Sequence, residues 1–379
     1  MTMVRHVGVE ATRLLREKRG IGRYVRNMLM LMPQLRPDLR FTLYVRRTAD
    51  IAAVRAQLVN LSPGLVDICR IEPVSLLPRS LADVVWYPWN WLRPSAKRAA
   101  MVATVHDFAP MLQFDHRWWK VVKRFKQRRR YANTVARADL IMTISSFTAR
   151  EAERLLAVDP AKIRVTLLAA DDLTAAAAAG VAGDHPDAFD HSETLDRLGI
   201  NGPFFLTVGA HDARKNLATL YRAMARLHEG GVRVPLVQCG PNVVLTADGT
   251  IAPWIRAAGY VSDAELATLY RRATALVFPS RYEGFGLPVA EAMMAGGCVI
   301  CADASSLPEV AGDAALLFPW DDAAALAKQM TRLLEDPVLR AELVRRGRPQ
   351  AARFTWRKCA LDTLAVFDEA VELHAHRQG

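Results

Sequence analysis

At about 150 residues per domain, a chain of 379 residues that is 51% hydrophobic and 23% charged holds two to three domains with sizeable cores, which excludes global disorder and a small disulfide scaffold. The net charge of +11 is unevenly spread, with residues 1–170 at +17 and residues 171–379 at −6. A basic front half joined to a mildly acidic back half predicts two domains with different partners, the first facing an anionic membrane, a nucleic acid or phosphorylated substrates.

In chain order, Val4–Glu10 reads as a first strand, and Gly20-Ile21-Gly22-Arg23-Tyr24 opens a helix with Tyr24, Met28, Leu31 and Leu35 on one face. Phe41–Val45, Asp83–Tyr87, Met101–Val105, Leu140–Ile144 and Ile163–Leu168 read as further strands, with His106-Asp107 at the end of the fourth of the six. Residues 171–195 change character, with five consecutive alanines before Gly-Val-Ala-Gly-Asp-His-Pro, and read as a linker or surface loop. Strands then resume at Phe204–Val208, Val234–Gln238, Ala275–Phe278, Cys298–Cys301 and Ala315–Phe318, alternating with helical patterns. This alternation predicts an α/β protein of two Rossmann-like domains, each on a parallel sheet, facing an interdomain cleft. The expected division is 1–180 with a returning C-terminal helix at 358–379, and 196–357.

Cysteines 69, 239, 298, 301 and 359 are scattered, and the lone Cys298-x-x-Cys301 lies in a strand pattern without a second ligand pair, so packing is expected rather than metal binding. No run reaches 18 apolar residues, which argues against a membrane span. The start, Met1 to His6, lacks the pattern of a secretory signal, and a reducing cytoplasm is the expected compartment, with attachment to the inner membrane face as an option.

Chemistry concentrates in Ser280-Arg281-Tyr282-Glu283-Gly284-Phe285-Gly286-Leu287-Pro288-Val289-Ala290-Glu291, directly after the strand Ala275–Phe278. Two glycines allow a tight turn, and Pro288 suits the first turn of a helix whose N–H groups can hold phosphate or sugar oxygens. Glu283 and Glu291 flank that turn, and a carboxylate beside an anion site is suited to neutral hydroxyls.

Glu283-x7-Glu291 with Gly-Phe-Gly-Leu-Pro between resembles the donor-site motif of the retaining GT-B glycosyltransferases of family 4. Gly20–Tyr24 resembles their N-terminal glycine-rich loop, His106 their histidine after a central strand, Gly209 with Arg214-Lys215-Asn216 the opening of their donor domain, and Phe354-Thr355-Trp356 their returning tail. The resemblance covers nearly the full length. It implies a retaining transferase moving a hexose from a nucleotide-diphospho-sugar to a hydroxyl of a glycan or lipid-linked glycan. Residues 1–180 are then the acceptor side and 196–357 the donor domain. It implies His106, Arg214, Lys215 and Glu283 as catalytic, and Gly22, Phe285, Gly286, Leu287 and Glu291 as donor-binding. No cofactor and no metal are implied, since Arg214, Lys215 and helix amides can stabilise the leaving diphosphate. The sequence departs from the pattern at Ala210-His211, where many members have an arginine. The forms of the motifs favour GDP-mannose. The alternatives are UDP-glucose or another UDP-sugar, a non-catalytic nucleotide-sugar-binding protein, and a pyridoxal-phosphate-dependent phosphorylase.

A second feature is Arg117-Trp118-Trp119-Lys120-Val121-Val122-Lys123-Arg124-Phe125-Lys126-Gln127-Arg128-Arg129-Arg130. Trp118, Val121, Val122 and Phe125 share a side while cations fill the rest, a pattern suited to an anionic membrane surface. The same charges suit a solvated helix face, and no nucleic-acid recognition motif accompanies them. Trp86, Trp89 and Trp91 either pack in the core or stack on a sugar.

Overall fold

The computed structural model describes residues 3–17, 20–112, 120–170, 192–209, 212–241 and 251–378. Two compact units result, Met1–Leu168 with Trp356–Gly379, and Ala169–Thr355.

Unit 1 is built on seven strands: β1 (His6–Glu10), β2 (Arg40–Val45), β3 (Cys69–Pro73), β4 (Val84–Tyr87), β5 (Ala100–Val105), β6 (Leu140–Thr143) and β7 (Ile163–Val165). All pairings are parallel, in the order β3-β2-β1-β4-β5-β6-β7. β4 and β6 are buried at every position, as expected for strands covered on both faces. The helix Ile21–Leu35 buries Tyr24, Val25, Met28, Leu29 and Met32, so its core face is rotated off Leu31 and Leu35, which stay half-buried. The last helix, Trp356–Gln378, belongs to unit 1. Arg36 grips its Asp368 through two nitrogens at 2.8 and 2.7 Å, Arg164 pairs with Glu369, and Arg377 reaches Asp139 at 2.9 Å.

Unit 2 carries β8 (Phe205–Val208), β9 (Leu236–Cys239), β10 (Ile255–Gly259), β11 (Ala275–Phe278), β12 (Val299–Ala302) and β13 (Leu316–Phe318). They form a second parallel sheet in the order β10-β9-β8-β11-β12-β13.

Two strands escape a pattern reading, β3 and β10. Both lie at a sheet edge, where Arg70, Glu72 and Arg256 interrupt the apolar run. The boundaries also shift. Ala169 and Ala170 are buried, and the Ala170 amide donates to the Phe354 carbonyl at 3.3 Å, which ties them to unit 2 rather than to a front domain ending at 180. Of the expected linker, residues 171–191 lie outside the described residues, while Ser192–Arg197 is helical.

All five cysteines are free and buried. Burial pushes the Cys298 and Cys301 thiols up to about 11 and about 12, the behaviour of packing residues. Among the described residues no group of three or more His, Cys, Asp or Glu could hold a metal ion, and no helix is long and apolar enough to cross a membrane.

Candidate active site

In a doubly wound sheet, ligands bind at the carboxyl ends of strands where the strand order reverses. In unit 2 that point lies between the neighbours β8 and β11. The loops leaving these two strands carry Arg214-Lys215 and Ser280–Gly286.

The structure brings Arg214, Lys215 and Glu283 together. Lys215 Nζ lies 2.7 Å from Glu283 Oε1, and Arg214 Nη1 lies 2.9 Å from Oε2. Burial pushes the Glu283 carboxyl up, but Lys215 and Arg214 outweigh it and hold the group below the usual carboxylate range. Lys215 Nζ also sits 4.7 Å from the centre of the Phe278 ring.

The cations are fixed by their loop. Asp212 caps a single turn at Ala213–Lys215 by accepting from the Arg214 amide at 3.0 Å. Asn216 takes a left-handed conformation and donates to the carbonyls of Pro279 and Trp320 at 3.1 and 2.6 Å. Arg281 donates its amide to the Arg214 carbonyl at 2.8 Å and its Nη2 to the Ala213 carbonyl at 2.7 Å, with its guanidinium 5.4 Å from the Trp320 ring centre. Ala210 and His211, where the sequence departs from the motif, lie outside the described residues.

Glu283 is held from its other side. Its amide donates to Ser305 Oγ at 3.0 Å, and Ser306 Oγ lies 3.0 Å from its carbonyl and 2.7 Å from that of Phe285. Gly286 sits at φ 106° immediately before the helix Leu287–Met294, and a Cβ there would meet Leu307 Cδ2 at 2.7 Å. The Phe285 ring is buried edge-on against Phe354, with centroids 5.3 Å apart, so only its backbone is left to face a ligand. Glu291, on the same helix, is buried and accepts from the Tyr270 hydroxyl at 3.1 Å. The two motif glutamates thus have separate partners. Beside the loops, Gly240 at φ 125° ends β9 so close to Gly209 that a Cβ would lie 2.4 Å from the Gly209 carbonyl oxygen. That leaves a side-chain-free floor next to Lys215.

The remaining candidates lie in unit 1. His106 follows β5 and is 4% exposed. Its Nε2 lies 2.8 Å from the Pro88 carbonyl, which can only accept, so Nε2 carries the hydrogen and Nδ1 is left as an acceptor. Burial pulls its conjugate acid down to about 4, against the Pro88 bond, so the ring is neutral at pH 7. Tyr24 packs edge-on against it at 5.3 Å. Gly22 lies in the first turn of the helix Ile21–Leu35, and a Cβ there would collide with the Glu17 carbonyl oxygen at 1.5 Å. Trp86 and Trp89 are core residues with bonded indoles, to Thr104 Oγ1 at 2.9 Å and to the Glu10 carbonyl at 2.7 Å. Trp91 is half-buried, with the Arg13 and Arg130 guanidiniums 5.6 and 5.7 Å from its ring centre.

Sequence reasoning left Arg281, Trp320, Ser305, Ser306 and Tyr270 without a role. Arg281 stood inside the motif and Ser305-Ser306 directly before a Leu-Pro helix start, the available signals. Nothing local marks Trp320 or Tyr270.

Residues 193–350 match the family described as glycosyl transferases group 1. O-antigen chain mannosyltransferase B of Escherichia coli is 32% identical over 76% of this chain and 75% of its own length. The MMP alpha-(1->4)-mannosyltransferase of Mycolicibacterium hassiacum is 30% identical over 67% of this chain and 61% of its own length. Among solved structures, sucrose-phosphate synthase from Thermosynechococcus elongatus superposes with a TM-score of 0.71 at 17% identity, covering 96% of this chain and 98% of that one. Anabaena HepE in complex with UDP and glucose gives 0.66 at 14% identity, covering 96% and 99%. The chain therefore belongs to the group 1 glycosyl transferases and has their GT-B fold of two Rossmann-like domains.

Proposed function

We propose that the protein is a retaining hexosyltransferase that uses GDP-mannose and extends a glycan or lipid-linked glycan. The observation that carries this reading is the cluster of Arg214, Lys215 and Glu283 at the switch point of unit 2. A nucleotide-diphospho-sugar brings a diphosphate for the two cations and sugar hydroxyls for the carboxylate. As the bond from sugar C1 to the diphosphate oxygen breaks, negative charge grows on that oxygen, and fixed cations stabilise it without reorganising. The acceptor oxygen bonds to C1 on the same face, and its proton passes to the departing phosphate oxygen. Glu291, with Tyr270 behind it, is assigned to ribose hydroxyls. Backbone groups of Phe285, Gly286 and Leu287 are assigned to the diphosphate, and Gly22 to the cover of the reacting groups. The neutral His106 accepts a sugar hydroxyl at Nδ1.

Mannose is favoured by the similarity to two proteins described as mannosyltransferases. In this reading unit 1 is the acceptor side and unit 2 the donor side. The exposed cations between Lys123 and Arg130 hold unit 1 at an anionic membrane where a lipid-linked acceptor lies.

A thermal-shift screen against GDP, UDP, dTDP and their common sugar conjugates tests the donor, because a ligand that binds only the folded state raises Tm. GDP-mannose is expected to give the largest shift and to be consumed with the anomeric configuration kept. A shift with UDP-sugars alone, or inversion of the product, overturns the reading. Turnover is expected to persist in a metal chelator.

A further inference from the structure

Unit 1 has a switch point of its own, between β1 and β4, and Glu10 ends β1 there. Glu10 is 5% exposed, and among the described residues Thr12 is its hydrogen-bond partner, through its side chain and through its amide, which lies 3.1 Å from Oε1. Other buried carboxylates of this unit are fully engaged. Asp368 takes both nitrogens of Arg36, and Asp139 accepts from the Met101 amide at 2.7 Å and from Arg377 at 2.9 Å. A buried carboxylate held by one threonine, with no cation hydrogen-bonded to it among the described residues, is costly to the fold and tends to mark a site with a task. Burial pushes the Glu10 carboxyl up to about 7, against the Thr12 bonds and Arg13.

One loop joins Glu10 to His106. The Trp89 indole donates to the Glu10 carbonyl at 2.7 Å, the Pro88 carbonyl accepts from His106 Nε2 at 2.8 Å, and Asn90 Oδ1 accepts from the His106 amide at 2.6 Å. Asn90 holds a left-handed φ of 71°, and its amide donates to the Thr104 carbonyl at 3.1 Å. Pro88–Asn90 is thereby tied on both sides, which sets the ends of β1 and β5 along one edge of the sheet.

We propose that Glu10 is an acceptor-binding residue, its carboxylate taking a hydrogen bond from a hydroxyl of the incoming glycan. This rests on the transferase reading above. A neutral polyol supplies the hydrogen bonds that the carboxylate lacks and adds no charge to a buried place. The titratable groups facing Glu10 are Arg13 on the following turn, Tyr44 opposite it on β2 and Tyr87 at the end of β4. Burial pushes both phenols up, so they stay neutral at pH 7 and Arg13 is the one charge among the three. The ionised carboxylate, which accepts the hydroxyl, is then gained as pH rises through 7.

The test compares the parent with Glu10→Gln and Glu10→Ala, using GDP-mannose as donor and methyl α-D-mannoside as glycan probe. E10A is expected to lower kcat/KM for the mannoside at least tenfold, mainly through KM. E10Q should lose less and should flatten the rise in kcat/KM near pH 7. Calorimetric affinity for GDP and acceptor-free hydrolysis of GDP-mannose should stay within twofold of the parent. Transfer by E10Q within twofold of the parent with the pH rise kept, or a parallel fall in hydrolysis, overturns the proposal. If the parent neither binds nor hydrolyses GDP-mannose, the transferase reading has failed, and saturation-transfer NMR with the mannoside alone decides on Glu10. Signal in the parent that E10A loses supports it, whereas equal signal in both, or none in the parent, overturns it.

Discussion

Lys215 and Glu283 meet at 2.7 Å across 68 positions of the sequence, and the second oxygen of the same carboxylate is taken by Arg214. The carboxylate keeps two like charges side by side, and in the proposed reaction these two meet the diphosphate. Removing one partner of a buried pair costs about 3–5 kcal/mol, and the lower end applies where a second cation remains.

Lys215→Ala is therefore expected to lower kcat by about 10²–10³-fold, the scale for losing one fixed transition-state donor. A loss below about threefold at saturating donor would falsify the assignment. Adding Glu283→Ala should restore part of the lost Tm, since no unpaired carboxylate is left, while activity stays low. Steady-state kinetics and calorimetric melting read the two outcomes apart.

The two motif glutamates should fail differently. Glu291→Ala removes the group backed by Tyr270 and is expected to weaken GDP and GDP-mannose alike. Tyr270→Phe loses the hydroxyl's bond to Glu291, a hydrogen bond of about 1 kcal/mol. Glu283→Ala should reduce turnover more than it reduces GDP affinity. Donor affinity unchanged in E291A, or equal losses for nucleotide and nucleotide-sugar in E283A, would contradict this division.

The strands that position the site were legible because central parallel strands are continuous apolar runs. β11 and the glycines after it could be placed to the residue. The support of the site was not legible. Ser305 and Trp320 meet the 279–283 loop from the segments that follow β12 and β13, and no local pattern records a partner brought close by a crossover. Glu10 was passed over because nothing in one sequence separates a buried strand-end carboxylate from a solvated one. The tautomer of His106 likewise depends on the Pro88 carbonyl, contributed by the neighbouring strand's loop.

Glu10 and His106 should set opposing pH dependences of stability. The Glu10 carboxyl rises from 4.5 to about 7 on folding, so its contribution is fully present below 4.5 and is lost as pH rises through 7. His106 falls from 6.5 to about 4, so its contribution is present above 6.5 and is lost as pH falls through 4. Each amounts to about 3 kcal/mol, at about 1.4 kcal/mol per pH unit of separation. Between pH 4.5 and 6.5 the two slopes oppose. E10Q should gain Tm at pH 8 and become more sensitive to acid than the parent. His106→Asn should be less sensitive to acid. Melting curves from pH 4 to 8 check the signs, and an E10Q protein with the parent's pH profile would contradict the burial assigned to Glu10.

The helix Lys120–Arg137 carries the membrane prediction. Val122 and Phe125 are 61% and 68% exposed, and Lys123, Arg124, Lys126, Arg128 and Arg129 are exposed around them, while residues 113–119, including Trp118, lie outside the described residues. Arg130 differs in lying over Trp91, which fixes the C-terminal end of the basic run to unit 1. Each cation near an anionic bilayer is worth about 1 kcal/mol, an attraction that fades within a Debye length of about 10 Å at 0.1 M salt. Phe125 adds apolar area at the interface. Together these support weak, salt-sensitive docking rather than insertion. The protein should sediment with vesicles containing phosphatidylserine at low salt, much less at 0.5 M salt, and not with neutral phosphatidylcholine vesicles. Reversing Lys123, Arg124, Arg128 and Arg129 to glutamate should abolish sedimentation and leave GDP-mannose affinity intact, because none of the four belongs to unit 2. Phe125→Ser should weaken attachment without changing its salt dependence. Equal sedimentation by the reversed variant, or none by the parent at low salt, would mean that this face is only solvated.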